Sequence, residues 1–461
     1  MIRIVLQKQM LIVEGSNDPI IFNWEHRSFF ILATGFKMDT NKQRYLFDDK
    51  TSLHKVLLDT TEYLTEEKIE FKLEKNSDAL LRKIQSEAKE YNQVVKSSKS
   101  QEKSVVLPTG FVRQLKDYQI QGLEHLLSVK HGANFSVPGS GKTTVLYATY
   151  HKLKGDGIVD KLLVIGPRSC FQPWEDEAKA CISEPMQIAR LSGTKSIRNS
   201  IFLSVDNYDV ILCTYQTASN DKDKIISFCS HHNVFIVVDE SHNIKSFDGG
   251  KWAESMLEIA PYAKRRAILS GTPIPNKLTD LWSQITFLWP GEQVLGDRNL
   301  FRYEAEDQSE VMKIRNKVKP FIFRTTKAKL QLPRPKFTYH FCDLNPYQQS
   351  IYRALSVKIL NDLQLEPNDR IALRQWRKAK IVRLIQAASN PTLLSKYSDE
   401  FDVPPLSGDG LSAIELIEKY PKFEIPTKIQ TAATITSDLI ARKEKVLLWT
   451  TFVHNIQMLQ I

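Results

Sequence analysis

Between Phe135 and Thr144 the chain reads FSVPGSGKTT, a stretch that packs two glycines, a proline, a lysine and two threonines into ten residues. Those residue types at that spacing suit one task, holding a polyphosphate. The stretch follows the pattern GxxxxGK[ST] except that Ser136 stands where the first glycine is expected. Across Pro138, Gly139, Ser140 and Gly141 the glycines let the backbone bend until successive N–H groups converge on an anion. Lys142 brings an ammonium to the β/γ oxygens and Thr143 offers a hydroxyl to Mg²⁺. Thr144 continues the following helix, expected over Thr144 to Lys152, whose positive end faces the same anion. Ser136 is tolerable if its backbone keeps an ordinary conformation. The alternative is a glycine-rich turn with no ligand.

A phosphate cradle needs a carboxylate partner, and one follows about a hundred residues later. Val234 to Val238, VFIVV, is a strand of apolar residues ending in Asp239-Glu240-Ser241-His242. Ligands of open α/β sheets sit at the carboxyl ends of strands. Asp239 can hold Mg²⁺, usually through water, because this small ion keeps much of its hydration. Glu240 is then placed to orient and deprotonate an attacking water. Taken alone, the same four residues would also suit an acidic, exposed turn.

The elements that must carry these residues are legible in outline. The chain has 461 residues, 42% hydrophobic and 25% charged, an ordinary globular composition with room for two to four domains. A net charge of +10 and a pI near 9.1 favour a polyanionic partner, although a diffuse excess of this size also serves solubility. No stretch approaches the roughly 18 apolar residues that span a bilayer, and the N-terminus lacks a signal-peptide pattern, so no membrane role is expected. The five cysteines form no CxxC pair and no cluster of zinc spacing. A reducing compartment and a cytoplasmic protein follow, nucleoid-associated in a prokaryote or nuclear in a eukaryote.

Residues 1–105 read as an N-terminal accessory α+β unit, with a helix near Ser52 to Leu64, followed by a charged helix running into a linker from Leu80 to Ser104. Residues 106–325 alternate strand and helix, with apolar strands at Lys161 to Ile165, Val210 to Cys213, Val234 to Val238 and Arg266 to Leu269, which predicts a parallel sheet covered on both faces. Residues 326–425 have helical spacing. There Arg370, Arg374, Arg377 and Lys378 share one face of a helix and Leu373, Trp376, Val382 and Ile385 the other; a solvated charged face is the default for such a stripe, with a DNA-facing one as the alternative. Residues 426–461 read as a helix over Lys428 to Arg442, a buried strand at Lys445 to Thr450 and the start of another helix.

The order of these motifs resembles the Swi/Snf-type DNA-translocating ATPases of helicase superfamily two, over residues 115 to 461. LKDYQIQGLEHLL resembles the family's adenine-recognition segment, and KLLVIGPRSCFQPWEDEA its next motif. VILCTYQTAS, VVDESHNIKS and AILSGTPIPNKLTDLWSQITFLWPG follow in family order, the last being the most diagnostic. FIFRTTKAKLQLPRPKFTYHFCDLNPYQQSIYRAL and LIQAASNPTLL resemble the inter-lobe segment, and KVLLWTTFVHNIQMLQ the first strand and motif of a second lobe.

The resemblance implies an α/β fold: a RecA-like P-loop ATPase lobe with helices on both faces of a parallel sheet, a helical linker or insertion, and the beginning of a second RecA-like lobe. It implies that Gln119 pairs with the adenine edge, that His242, Ser270, Gly271 and Thr272 couple the γ-phosphate to the second lobe, and that Arg168, Ser169, Thr214, Tyr215 and, in that lobe, Thr451 grip the backbone of double-stranded DNA. Phosphate contacts of this kind position a protein without reading sequence. ATP and Mg²⁺ are the implied cofactors. The family's arginine-bearing closing motifs do not appear before Ile461, so weak hydrolysis by these residues alone is expected, with a longer chain or a partner supplying the remainder. An ATP-driven translocase on duplex DNA is the leading expectation. The alternatives are an unwinding DNA or RNA helicase, a nucleotide-dependent scaffold without turnover, and the motor of a restriction or anti-phage assembly in which residues 1–105 dock a protein partner.

Overall fold

The computed structural model describes residues 2–7, 10–15, 22–48, 53–96, 105–245, 250–272, 274, 277–291, 294–296, 298–363, 381–395 and 417–460. The chain divides into two compact units, Met1–Pro333 and Arg334–Ile461.

The first unit opens with a small mixed sheet. Its strands β1 (Ile2–Gln7), β2 (Met10–Gly15), β3 (Lys37–Asp39), β4 (Arg44–Phe47) and β5 (Phe71–Leu73) lie in the order β3-β4-β2-β1-β5. All pairs are antiparallel except β1 with β5. Alternation along β1 sends Ile2 and Ile4 inward, where they meet Leu57 and Leu64 of the helix Leu53–Glu66. The charged helix expected from Leu80 onward is present as the helix Lys75–Lys96, and residues 97–104, expected as the linker after it, lie outside the described residues. The helix packs along its length: Leu80, Leu81 and Ile84 join the core of the small sheet, while Val94 and Tyr91 join that of the main sheet. Its apolar residues fall three and four apart, so one stripe serves both cores.

The main sheet has seven parallel strands: β6 (His131–Asn134), β7 (Lys161–Ile165), β8 (Ile188–Leu191), β9 (Val210–Cys213), β10 (Val234–Asp239), β11 (Arg265–Leu269) and β12 (Ile322–Phe323), in the order β12-β6-β11-β10-β7-β9-β8. Apolar strands of this kind are buried on both faces, and the side-chain period of two divides them cleanly. Leu162, Val164, Phe235 and Val237 face the helices Asp117–Val129, Lys142–Gly155 and Phe171–Cys181; Leu163, Ile165, Ile236 and Val238 face Lys222–His231, Lys251–Ile259 and Leu281–Leu288. This is the RecA-like lobe expected from the sequence. Its edge strands β8 and β12 were not foreseen, because each is short and only partly buried.

The second unit is helical where it is described. Helix Pro346–Leu363, helical residues 381–389 and helix Thr427–Ala441 are joined through Gln348, whose side chain donates to Ala387 O at 3.0 Å and accepts from the Thr427 N–H at 3.3 Å. Residues Lys445 to Thr450, expected as a buried strand, form none, and Trp449 is 86% exposed. A parallel strand needs neighbours to complete its hydrogen bonds, and among the described residues of this unit no strand offers them. The 3₁₀ turns Val453–Asn455 and Gln457–Leu459 replace the helix expected after it. Val382 is buried, Ile385 is exposed, and the basic face from Arg370 to Lys378 lies outside the described residues, as do Leu373 and Trp376.

Candidate nucleotide site

Strand register assembles the site. Asn134 of β6 pairs with Leu269 of β11, and Leu269 with Asp239 of β10, so three loops leave the sheet at one level. Ile165 of β7 pairs with Val238 and with Cys213 of β9, which brings the loops after β7 and β9 to the same edge. The chain runs from β6 out to β7, β8 and β9 and then returns to fill β10 and β11, so the phosphate loop and the acidic pair face each other across the tip of a single strand, β11.

The phosphate loop is bent as its glycines require. Gly139 and Gly141 have φ of 80° and 76°, a region that side chains avoid. A Cβ on Gly141 would run into the Gln119 amide, whereas one on Gly139 would meet nothing within 4 Å, so the crown of the loop is open. Ser136 keeps φ negative. Its hydroxyl accepts from the Thr325 N–H at 2.9 Å, while Phe135 and Val137 donate to Phe323 O and Thr325 O at 2.8 and 3.1 Å. The unusual serine therefore anchors the loop to the segment after β12, a role its position alone did not disclose.

Three features make the loop fit a polyphosphate. Lys142 donates to Ser136 O at 3.2 Å and forms no ion pair among the described residues. Burial lowers its pKa, while the nearby Glu240 and Asp239 carboxylates pull it back up. The Ser140 hydroxyl is buried without a partner. Thr143 is half-buried in the first turn of the helix. Two other expected ligands are engaged elsewhere. Gln119 donates to Ser140 O at 3.2 Å and accepts from the Lys116 N–H at 2.9 Å, so its amide braces the loop; Thr144 donates to Glu177, which also pairs with Arg113 at 2.8 Å.

The acidic tip is held from three sides. Trp174 donates its indole N–H to Asp239 Oδ2 at 2.8 Å, and the Glu240 N–H donates to Oδ1 at 2.9 Å. A buried indole needs an acceptor, which explains Trp174; its neighbour Glu175 turns outward to Arg190 at 2.6 Å. Glu240 is left-handed, φ 52° and ψ 52°, a conformation a residue with a side chain keeps only when its surroundings fix it. Ser241 donates to the buried Gln284 at 2.7 Å. Gln284 was missed because a glutamine among apolar residues gives no local signal. Beside the tip, burial and the Asp239 charge push the Cys170 thiol up to about 12.

The expected coupling residues lie together. His242 Nδ1 is 3.3 Å from both Glu240 Oε2 and the Ser270 hydroxyl, and Thr272 donates its N–H to Ser270 at 3.1 Å. A Cβ on Gly271 would lie 3.0 Å from Pro138, so this loop abuts the phosphate loop.

Of the residues expected on DNA, Arg168 and Ser169 are exposed at the β7 tip. Thr214 caps the helix Tyr215–Asn220, accepting from the Thr217 N–H at 3.1 Å. Tyr215 departs from expectation: its side chain is buried, and its hydroxyl bonds the carbonyls of Asp239 and Glu240. Thr451 is exposed in the second unit. Among the described residues no helix is long and apolar enough to cross a membrane.

The chain is similar to several known proteins. The chain is 24% identical over 406 residues to the ATP-dependent DNA helicase DDM1 of Arabidopsis thaliana, covering 79% of this chain and 50% of that protein. It is 29% identical over 265 residues to the ATP-dependent helicase FUN30 of Saccharomyces cerevisiae, covering 52% of this chain and 23% of the relative. The chain thus spans half or less of these curated relatives. A solved structure, the Sulfolobus solfataricus SWI2/SNF2 ATPase core in complex with dsDNA, is similar with a TM-score of 0.45 and 24% identity, over 78% of this chain and 71% of that one. The SNF2-related domain matches residues 118–388, more than half of the sequence, and the chain belongs to that family of ATPases.

Proposed function

We propose that this chain carries the ATP-binding half of a motor that hydrolyses ATP to move along double-stranded DNA, remodelling or displacing what is bound there. The observation that supports this reading most is the strand register that brings the loops carrying Lys142 and the Asp239–Glu240 pair to one edge of the sheet, near enough for the two carboxylates to offset part of the burial that lowers the lysine's pKa. In this reading Lys142, the loop N–H groups and the Ser140 hydroxyl hold the triphosphate. Thr143 and Asp239 hold Mg²⁺, which when bound neutralises charge developing on the phosphates. Glu240 orients and deprotonates the attacking water, with His242 placed to report its state to Ser270 and the loop behind it. Gln119 supports the loop with one of its two amide N–H groups and one lone pair of its oxygen, which leaves a second of each for an adenine edge.

Arg168 and Ser169 offer exposed donors suited to a phosphate backbone without reading sequence, and the half-buried Thr214, its hydroxyl engaged with Thr217, starts the next loop at the same sheet edge, where the backbone is proposed to continue. The net charge of +10 is consistent with that partner. The N-terminal unit, with Trp24 and Leu32 exposed beside its sheet, is proposed to contact a protein partner, and the cell's DNA-containing compartment is the proposed location.

Steady-state ATP hydrolysis by the complete protein with duplex DNA, single-stranded DNA and RNA tests this reading. Stimulation by duplex DNA supports it. Stimulation by RNA alone, or magnesium-dependent ATP binding with no turnover under any condition, rejects it.

A further inference from the structure

Glu240 is held in a left-handed conformation, and the residue that reaches in to hold it comes from another loop. Tyr215 follows Thr214 directly at the tip of β9. Its hydroxyl donates closely to Asp239 O and lies 3.1 Å from Glu240 O, so one phenol grips two successive carbonyls of the acidic tip. Burial fixes the phenol as a neutral donor, its pKa raised well above the ordinary value. The ring cannot swing freely, because it stacks on Trp252 with centroids 5.5 Å apart and planes 19° apart. The Glu240 carbonyl also receives the Asn243 N–H at 3.0 Å and its side-chain amide at 2.9 Å. Those donors come from the same turn and move with it. Tyr215 is the tie to a different strand.

We infer that Tyr215 is a positioning residue that sets the orientation of Glu240 and transmits displacement of the Thr214 loop to it. This rests on the reading above, in which Glu240 acts on water and the Thr214 loop meets duplex DNA. Thr214 and Tyr215 are joined by one peptide bond, and Thr214 caps the short helix that Tyr215 begins. Any shift of that helix start carries the phenol with it, and a left-handed glutamate has few alternative conformations close by. Duplex DNA at the Thr214 loop would in this way change the aim of the carboxylate without touching it, a coupling carried by one packed ring and one shared proton.

The test is Tyr215→Phe in the complete protein, which keeps the ring and removes the hydroxyl. Duplex-stimulated kcat is expected to fall about tenfold, the size of one net hydrogen bond, with KM for ATP and affinity for duplex unchanged. Amide exchange is expected to quicken in the peptide 239–243 and to stay the same in the phosphate loop. In the unsubstituted protein, adding duplex should slow exchange in 214–220 and 239–243 together; in the variant it should slow it in 214–220 alone. Unchanged kcat, unchanged exchange at 239–243, or a general loosening that reaches the phosphate loop would overturn the inference. If the unsubstituted protein does not hydrolyse ATP on duplex, the proposed function fails, and exchange at 239–243 without DNA still decides whether Tyr215 fixes Glu240.

Discussion

Arg266 of β11 is completely buried, and its Nη2 lies 3.0 Å from Glu87 Oε1 on the helix Lys75–Lys96. The same guanidinium donates to Leu288 O and Ala260 O at 2.8 and 2.7 Å. An arginine taken wholly out of water needs such partners, and here one of them comes from the N-terminal part of the chain. The ion pair thus ties the accessory helix to the amino end of β11, the end of the sheet opposite the nucleotide loops. Glu87→Ala should cost about 3–5 kcal/mol in denaturant unfolding, because it strands a buried charge. Replacing both residues by methionine should cost less than Glu87→Met alone. A Glu87→Ala loss below about 1 kcal/mol would mean that the pair contributes little.

Gly141 tests the loop's geometry. Its φ of 76° strains any side chain, and the added methyl would strike the Gln119 amide. Gly141→Ala should lose magnesium-dependent ATP binding and about 1–2 kcal/mol of stability. Adding Gln119→Ala should recover part of the stability, since it clears the overlap and leaves only the backbone strain. Strict additivity in thermal unfolding would speak against the contact.

The two ends of the site should fail differently. Lys142→Ala should weaken binding of a fluorescent ATP analogue with magnesium by at least about tenfold, because a charge-assisted contact is lost. Glu240→Gln should leave that affinity within a factor of about two and lower turnover by about 10²–10⁴-fold, the usual share of a general base. Equal losses of binding in both variants would remove Glu240 from the role given to it.

Acid should unfold the protein partly through His54. This side chain is buried against the charges of Lys83 and Arg266, and burial drives its pKa down to about 3 from 6.5. Between those values the unfolded chain binds a proton that the folded one does not, so stability rises with pH across this window and is lost as pH falls through it. Substitution His54→Leu should remove up to about 1.4 kcal/mol of that loss per pH unit below 6.5. The comparison is cleanest between pH 6.5 and 5, above the range where ordinary carboxylates titrate. Parallel stability–pH curves for the two proteins would show that His54 does not carry the effect.

Local rules made much of the site readable. GSGKTT and VFIVVDESH fall at strand ends because apolar runs and glycine bends are short-range signals, and the observed strands match the apolar runs closely. The helix Lys75–Lys96 was legible as a helix, but charge on its outer face hid a stripe that two cores share. Lys445 to Thr450 misled because an apolar run states a preference for a strand, while pairing depends on neighbours supplied from elsewhere in the chain.

By itself the sequence determined which residues are chemically equipped to hold a triphosphate and an attacking water, because glycine, lysine and paired carboxylates have properties that travel with the residue. Only the tertiary structure decided which of them have a free hand. Gln119, Thr144 and Tyr215 all carry the right groups for a ligand, yet each is bonded to the protein, to Ser140, Glu177 and the Asp239–Glu240 backbone respectively. The physical reason is that a buried donor or acceptor must be satisfied by whatever the fold brings beside it, and strand order and register, which no local spacing encodes, choose that neighbour.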